Sequence, residues 1–263
     1  MTTTELALAG RHALVTGASS GLGADFAREL ARRGAALTLV ARREDRLRSL
    51  QRELAAAGAE AEVVALDLND PAAPDRLLAG AEARRRPVDV LVNNAGFGLY
   101  GPFSSLDWAR ERAMLELDMI VPVHLTKLFL PGMLERRAGW VLNVASIGAY
   151  QPSPLYASYS AAKSFVLNFT EALSYELRGS GVVATALSPG IVATEFLQVS
   201  GQQATRYQRL AMMDSPTVAR SGVEAMLAGR PSLVPGRLNA ASVWANRLLP
   251  RRVSAALAHR LMA

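Results

Sequence analysis

The chain has 263 residues, a 50% hydrophobic composition, 20% charged residues and no cysteine. That is enough apolar chain for one substantial core, and it excludes disorder, fibrous repeats, disulfide frameworks and sulfur-built metal sites. The formal charge of +6 is nearly all arginine, because Lys127 and Lys163 are the only lysines; the arginines, scattered through Arg28, Arg52, Arg110, Arg178 and Arg237, read as a compositional habit of the coding DNA and not as a nucleic-acid surface.

Met1 to Gly10 carries no basic patch ahead of an apolar stretch, and no apolar run approaches the roughly 18 residues of a membrane span. The expectation is a soluble, cytoplasmic protein. Ala13-Leu14-Val15-Thr16 reads as a strand ending in a glycine cluster, and Leu22 to Arg33 as a helix closed by Gly34. Ala36 to Val40 is the second strand, followed by a charged helix from Glu44 to Ala57 that stops at Gly58. Val63 to Leu66 is the third, then a helix from about Pro71, and Val88 to Val92 is the fourth. Helical patterns run from about Ser105 to Arg137. Val141 to Val144 is the fifth strand, Tyr156 to Leu177 a long helix, and Val182 to Leu187 the sixth strand. A last strand, Ser232 to Val234, precedes an arginine-rich tail from Leu238 to Ala263 that reads as helical with a break at Pro250.

The strands are continuous apolar runs, so both faces are covered, and helices separate them, so the sheet is parallel. The class is α/β, a doubly wound parallel sheet of about seven strands with helices on both faces. No Pro/Gly/Ser-rich linker interrupts it, so residues 1–263 are expected to form one domain. A polar, strandless segment at about 194–215 is expected to cover a substrate. The tail, about 238–263, reads either as an interfacial membrane helix or as a helix packed on the body or on a partner subunit; the second is favoured, because the break at Pro250 leaves only short amphipathic pieces.

Thr16-Gly17-Ala18-Ser19-Ser20-Gly21-Leu22-Gly23 lies between first strand and first helix, where a dinucleotide pyrophosphate meets a helix N-terminus. Glycines there permit a tight turn, let phosphates approach the backbone and let the helix lie close on the strand. An acid normally ends the second strand of such a site to receive the ribose hydroxyls. Here Val40-Ala41-Arg42-Arg43 offers alanine and then two guanidiniums able to fork onto a 2′-phosphate, so the cofactor expected is NADP(H).

Tyr159 and Lys163 are four apart in a helical stretch and share one face. An ammonium beside a phenol is expected to lower its pKa, so that Tyr159 exchanges a proton with a carbonyl or alcohol oxygen. Ser146, just past the fifth strand, stands at the carboxyl edge where ligands of open α/β sheets bind, and its hydroxyl can hold that oxygen.

With these residues in hand, the chain resembles the short-chain dehydrogenase/reductase family in its single-domain, Rossmann-type form, from Gly10 to about Phe196. Thr16 to Gly23 matches the family's TGxxxGxG pattern. The resemblance implies that Asp67 and Leu68 contact the adenine, that Asn93-Asn94-Ala95-Gly96 is the NNAG motif after the fourth strand, and that Ser146, Tyr159 and Lys163 are the catalytic serine and YxxxK pair. It further implies that Ser188 to Thr194, with Pro189, Gly190, Val192 and Thr194, grips the nicotinamide carboxamide. One position departs from the pattern: the family's fourth catalytic residue is an asparagine, and Asp118 stands in its place. In the family that residue's main-chain carbonyl holds a water leading to the lysine. Pro122, lacking an N–H, leaves the Asp118 carbonyl without its helical partner, so the acceptor survives the substitution.

The covering segment holds Phe196, Leu197, Val199, Tyr207, Leu210, Met212 and Met213, and Phe97, Leu99, Tyr100, Phe103, Tyr150 and Tyr156 are candidates for the opposite wall. With no basic cluster there beyond Arg206 and Arg209, the substrate expected is a hydrophobic ketone or aldehyde and its alcohol. The alternative is a non-catalytic NADP(H)-binding sensor, which has no need of Ser146, Tyr159 and Lys163 together. A nucleic-acid partner and a bound metal are not expected. The helices from Asp118 to Arg137 and from Tyr156 to Arg178 resemble those the family pairs in a dimer interface, so a homodimer or homotetramer is expected. The row Phe165, Phe169, Leu173 fits that burial and internal packing equally.

Overall fold

The computed structural model describes residues 7–262. Among them, seven strands form one parallel sheet: β1 (His12–Thr16), β2 (Ala36–Ala41), β3 (Ala61–Ala65), β4 (Val90–Asn93), β5 (Gly139–Val144), β6 (Val182–Leu187) and β7 (Ser232–Leu233), in the order β3-β2-β1-β4-β5-β6-β7. Helices α1 (Gly21–Arg32), α2 (Glu44–Ala56) and α3 (Ala73–Ala83) make the first crossovers. They are followed by α4 (Trp108–Leu115), α5 (Val121–Glu135) and α6 (Ala157–Glu176).

Alternation along the strands explains why the sheet is covered on both sides. Ala13 and Val15 of β1, with Val90 and Val92 of β4, join the core under α1 and α2, whereas Leu14 and Leu91 between them join the core under α3 and α5. A strand with both faces buried has no polar phase, which is why its sequence reads as an unbroken apolar run. β1 pairs with β2 on one side and β4 on the other. The two halves of the chain therefore leave the centre in opposite directions, and a crevice opens over the carboxyl ends of β1 and β4.

The structure refines the sequence reading at several points. The expected helix from Ser105 to Arg137 is divided: α4 gives way to a π-helical turn, Glu116–Ile120, before α5 begins. Pro122 has no N–H to close the ordinary four-residue bond to Asp118, and the helix widens at that place. Between Thr194 and Met213 lie two short helices, α7 (Phe196–Ser200) and α8 (Arg206–Ala211), and a single parallel bridge joins Val192 to Met213. Helix α9 (Ser215–Leu227) was not anticipated. It is capped by Asp214, which accepts from the Thr217 N–H at 2.9 Å, and it packs on α1. Helices α10 (Arg237–Asn246) and α11 (Arg251–Met262) lie on either side of Pro250. No helix among the described residues is long and apolar enough to cross a membrane.

Candidate active site

The glycine turn is held by its neighbours. Gly17 has φ +68°, and a Cβ there would stand 2.8 Å from Asn94 Nδ2 and 2.9 Å from the Ala95 Cα, so only glycine fits both the conformation and the space. At Gly23 a Cβ would strike the Gly17 carbonyl, which is what brings α1 close to β1. Thr16 ties this turn to the next strand: its Oγ1 accepts from the N–H groups of Asn94 and Ala95, both at 3.0 Å, and the Asn94 amide donates to the Thr16 carbonyl.

Ser20 sits at the N-cap of α1 without capping it, and the first turn contains no acid. Arg43 holds the serines instead, with Nη2 2.6 Å from Ser20 Oγ and Nε 3.2 Å from Ser19 Oγ. The N–H groups opening α1 thus have no carboxylate or capping oxygen from their own helix. An anionic pyrophosphate fits such an end by hydrogen bonding and by the helix dipole.

At the adenosine end, β2 closes on Ala41. Arg42 lies 72% exposed, 3.9 Å from Asp67, and Leu68 is buried beside it. Arg43 and Arg46 both reach Glu195, at 2.9 and 2.8 Å, and these guanidiniums hold its carboxyl below the usual carboxylate range. Arg46 and Glu195 were not singled out from sequence. The signal for Arg46 was its place one helical turn after Arg42 and Arg43; Glu195 gave none, since only the fold brings it there.

Past β5, the Ser146 hydroxyl oxygen accepts from the Gly148 N–H at 3.1 Å. Tyr159 stands in the first turn of α6, half-buried, and Lys163 lies buried one turn on. Lys163 Nζ is 3.1 Å from the Val144 carbonyl oxygen, 3.1 Å from Asp118 Oδ2 and 5.7 Å from the centroid of the Tyr159 ring. Asp118 is buried in the π turn, and its other oxygen accepts from the Phe97 N–H at 3.2 Å.

Burial raises the Asp118 carboxyl above its ordinary value, against the pull of Lys163. The Tyr159 phenol is also pushed up, first by loss of solvent, then by the Asp118 carboxylate, with a hydrogen bond from Ser146 acting the other way. This corrects the sequence expectation of a lowered phenol. The ammonium is engaged by Asp118 and Val144, and desolvation outweighs what it offers the ring.

These groups line one cavity of about 770 Å³. The glycine turn from Gly17 to Gly23, Arg42 and Arg43, Asp67 and Leu68, Asn94 to Gly96, and Pro189, Gly190, Val192 and Thr194 all contribute to it, as do Ser146, Tyr159 and Lys163. Of the four expected catalytic residues Asp118 alone stands outside, in contact with Lys163 behind the lining.

Phe97, Tyr156, Phe196, Leu197 and Val199 are on the cavity wall as expected, and the Tyr159 and Phe196 rings lie 5.3 Å apart. Leu99, Tyr100, Phe103, Tyr150, Met212 and Met213 do not line it; Phe103 is 63% exposed because it starts a surface 3-10 turn. The side chains of Arg206, Tyr207 and Leu210 lie outside the described residues. The far wall comes from an unexpected quarter, the tail: Val243, Ala258, Leu261 and Met262 reach the cavity. The Met262 carbonyl accepts from Gln202 Nε2 at 2.9 Å and from the Tyr100 hydroxyl at 3.1 Å. Gln202 in turn accepts from the Tyr156 hydroxyl at 2.9 Å, fastening tail, covering segment and α6 together.

Comparison with known proteins agrees with this architecture. The model of the short chain dehydrogenase family matches residues 11–205. A short chain dehydrogenase of Pseudocercospora fijiensis is 39% identical over 193 residues, 72% of this chain but 62% of that protein, so the match spans less than two thirds of the relative's length. A ketoacyl reductase of Nostoc is 32% identical over 83% of this chain and 76% of its own. The structure of a short-chain dehydrogenase from Sphingobium yanoikuyae in complex with NADPH superposes with a TM-score of 0.80 at 27% identity, covering 90% of this chain and 94% of that one. On these matches, which extend over most of its sequence, the protein belongs to the short-chain dehydrogenase/reductase family, oxidoreductases acting on the CH–OH/C=O pair.

Proposed function

We propose that the protein is an NADP(H)-dependent reductase that interconverts a hydrophobic ketone or aldehyde, an acyl-chain ketone foremost, with its alcohol. One observation carries this reading: Ser146, Tyr159 and Lys163 converge on a cavity that runs from the glycine turn to an apolar wall. Its residues fit the cofactor: the glycine turn and the uncapped helix end would hold the pyrophosphate, Asp67 and Leu68 would meet the adenine, and Pro189 to Thr194 would meet the nicotinamide. Alanine in place of the ribose-binding acid, with Arg42, Arg43 and Arg46 around it, supports the 2′-phosphorylated form, as does the Sphingobium relative in complex with NADPH. When bound, the nicotinamide supplies hydride to a carbonyl carbon or accepts it from an alcohol.

The chain's own groups handle the oxygen. The Ser146 hydroxyl, one acceptor position taken by the Gly148 N–H, keeps its proton to donate to the substrate oxygen. Tyr159, with its pKa raised, stays protonated and gives its phenolic proton to the oxygen as charge develops there. Lys163 stabilises the phenolate left behind, and Asp118 and the Val144 carbonyl are positioning groups that fix the ammonium. Tyr156 and Phe196 exclude water from the reacting atoms.

Val199, Leu197 and the tail residues give the substrate an apolar surround, and the Nostoc ketoacyl reductase supports an acyl chain in it. The chain acts as one domain in which α7 and α8 cover the substrate. The stacked, partly exposed pair Phe165 and Phe169 on α6 supports a homodimer through that helix. NADPH oxidation with a panel of bulky ketones, aldehydes and 3-oxoacyl thioesters, run beside Tyr159→Phe, tests the reading. Turnover of apolar ketones that is lost in the variant is expected; tight NADPH binding without turnover of any of them assigns the protein to a sensor instead.

A further inference from the structure

The net positive charge of this protein falls in one stretch. Residues 225–263 hold six arginines, Arg230, Arg237, Arg247, Arg251, Arg252 and Arg260, and no Asp or Glu; the other 23 basic residues are balanced by 23 acidic ones, so on side-chain charges the body is formally neutral and the tail carries the whole +6. Among the described residues none of the six is ion-paired. The scatter of arginine along the chain hides this asymmetry, because elsewhere each arginine is offset by an acid.

The same stretch exposes apolar side chains. Leu238 is 88% exposed, Leu248 72% and Trp244 64%, and Val253 and Leu257 are exposed as well. Half of the large apolar side chains that the described residues expose lie here. Single exposed apolar residues are ordinary on a soluble surface, whereas a cluster among unpaired cations is not.

Helical spacing explains the arrangement. In α11, Ser254 and Ala258 lie one turn apart and pack inward, whereas Val253, Leu257 and Arg260, at spacings of four and three, share a flank exposed to solvent. In α10, Asn239, Val243 and Asn246 are turned inward, leaving Leu238, Ala241, Trp244 and Ala245 outside. Both helices thus present a mixed apolar and guanidinium face on the back of the wall that closes the cavity.

We propose that the outer face of α10 and α11 docks on an anionic lipid bilayer surface. The chemistry selects this occupant. A second copy of the same face would set arginine against arginine with no carboxylate between them. Duplex nucleic acid would pair with the guanidiniums but gives Leu238, Leu248, Val253 and Leu257 nothing to bury against. A bilayer interface takes both, with arginines at the lipid phosphates and apolar chains at the acyl boundary just beneath. The contact proposed is peripheral, along the outer face of the two helices; no helix among the described residues is long and apolar enough to cross a membrane.

Sedimentation of the full chain with phosphatidylcholine vesicles, with and without phosphatidylglycerol, tests this. Binding only to the anionic vesicles is expected, with release at about 1 M salt, where the Debye length is about 3 Å. Arg252→Gln combined with Arg260→Gln is expected to weaken partitioning roughly 30-fold, from the contribution of each arginine near an anionic surface. Leu257→Ser is expected to weaken it without altering the salt dependence. Arg52→Gln with Arg220→Gln, the same charge change on exposed sites elsewhere, is expected to leave it unaltered, and thermal melts establish that all variants are folded. Absence of binding, equal binding to neutral vesicles, or equal losses in the two arginine pairs would overturn the proposal. So would self-association or retention on duplex DNA that depends on Arg252 and Arg260 while vesicles are ignored.

Discussion

Lys163 Nζ and Asp118 Oδ2 stand 3.1 Å apart in a buried ion pair, and the same nitrogen lies 5.7 Å from the centroid of the Tyr159 ring. The carboxylate therefore acts on the phenol by two opposed routes: it fixes the cation that favours phenolate, and its own charge disfavours phenolate directly. The second effect adds to desolvation in raising the Tyr159 pKa.

Asp118→Asn separates the two. In alcohol oxidation Tyr159 must accept a proton, so the rate rises with pH as the phenol loses its own. Removing the carboxylate removes one cause of the raised pKa, and the rise in kcat/KM is expected at lower pH than in the wild type. Activity is expected to stay within about tenfold, because the Val144 carbonyl still holds Lys163 and the asparagine can still accept from the Phe97 N–H. A pH profile displaced upward would show that the ammonium needs its counter-ion more than the phenol suffers from it.

Tyr159→Phe keeps the ring and its packing against Tyr156 and Phe196 but removes the proton donor. A loss of about 10³-fold in kcat is expected from the contribution of a positioned general acid, with NADPH affinity near the wild-type value. Single-turnover kinetics and fluorescence titration measure the two separately. An equal loss in Asp118→Asn would contradict the division of labour between donor and positioning residue.

Arg42 is the cleanest probe of cofactor choice, since its guanidinium is 72% exposed and its nearest carboxylate is 3.9 Å away. Arg42→Ala is expected to lower the NADPH to NADH ratio of kcat/KM by about tenfold or more, the worth of a charge-assisted hydrogen bond. Glu195 competes for the same cations through Arg43 and Arg46. Glu195→Gln is expected to tighten NADPH binding several-fold while leaving NADH unchanged, as read by titration of nucleotide fluorescence.

What was legible in the sequence is what local spacing determines. A separation of four positions sets Tyr159 and Lys163 on one helical face whatever packs around them, and a glycine turn after an apolar strand needs no distant partner to be recognised. Contacts across the fold left no such trace: Arg46 and Glu195 are 149 residues apart, and Tyr100 and Met262 are 162 apart. Helix α9 escaped because its stripe of Val218, Val223 and Met226 is diluted by Ala, Ser and Gly. The sign of the Tyr159 shift was misjudged because spacing places an ammonium near the ring but does not tell how much water is lost around the phenol or which carboxylate claims the cation first.

His12 gives the fold a dependence on pH remote from the active site. It is buried in β1, its Nε2 2.9 Å from Thr38 Oγ1, and its backbone N–H donates to Asp89 at 2.9 Å. Burial lowers its pKa, and the charge of Arg86 adds to that, outweighing the opposing pull of Asp89 and the backbone bonds to Pro87 and Arg86. A histidine with a folded pKa below its unfolded one binds more protons when unfolded. Its contribution to stability is thus full above the unfolded value of about 6.5 and is lost as pH falls through the window below it, at no more than about 1.4 kcal/mol per pH unit. His12→Gln removes the titrating group and keeps a donor for Thr38. The gap in urea midpoint between pH 8 and pH 5 is expected to be smaller in the variant than in the wild type; an equal or larger gap would mean that His12 takes up its proton without disturbing the sheet.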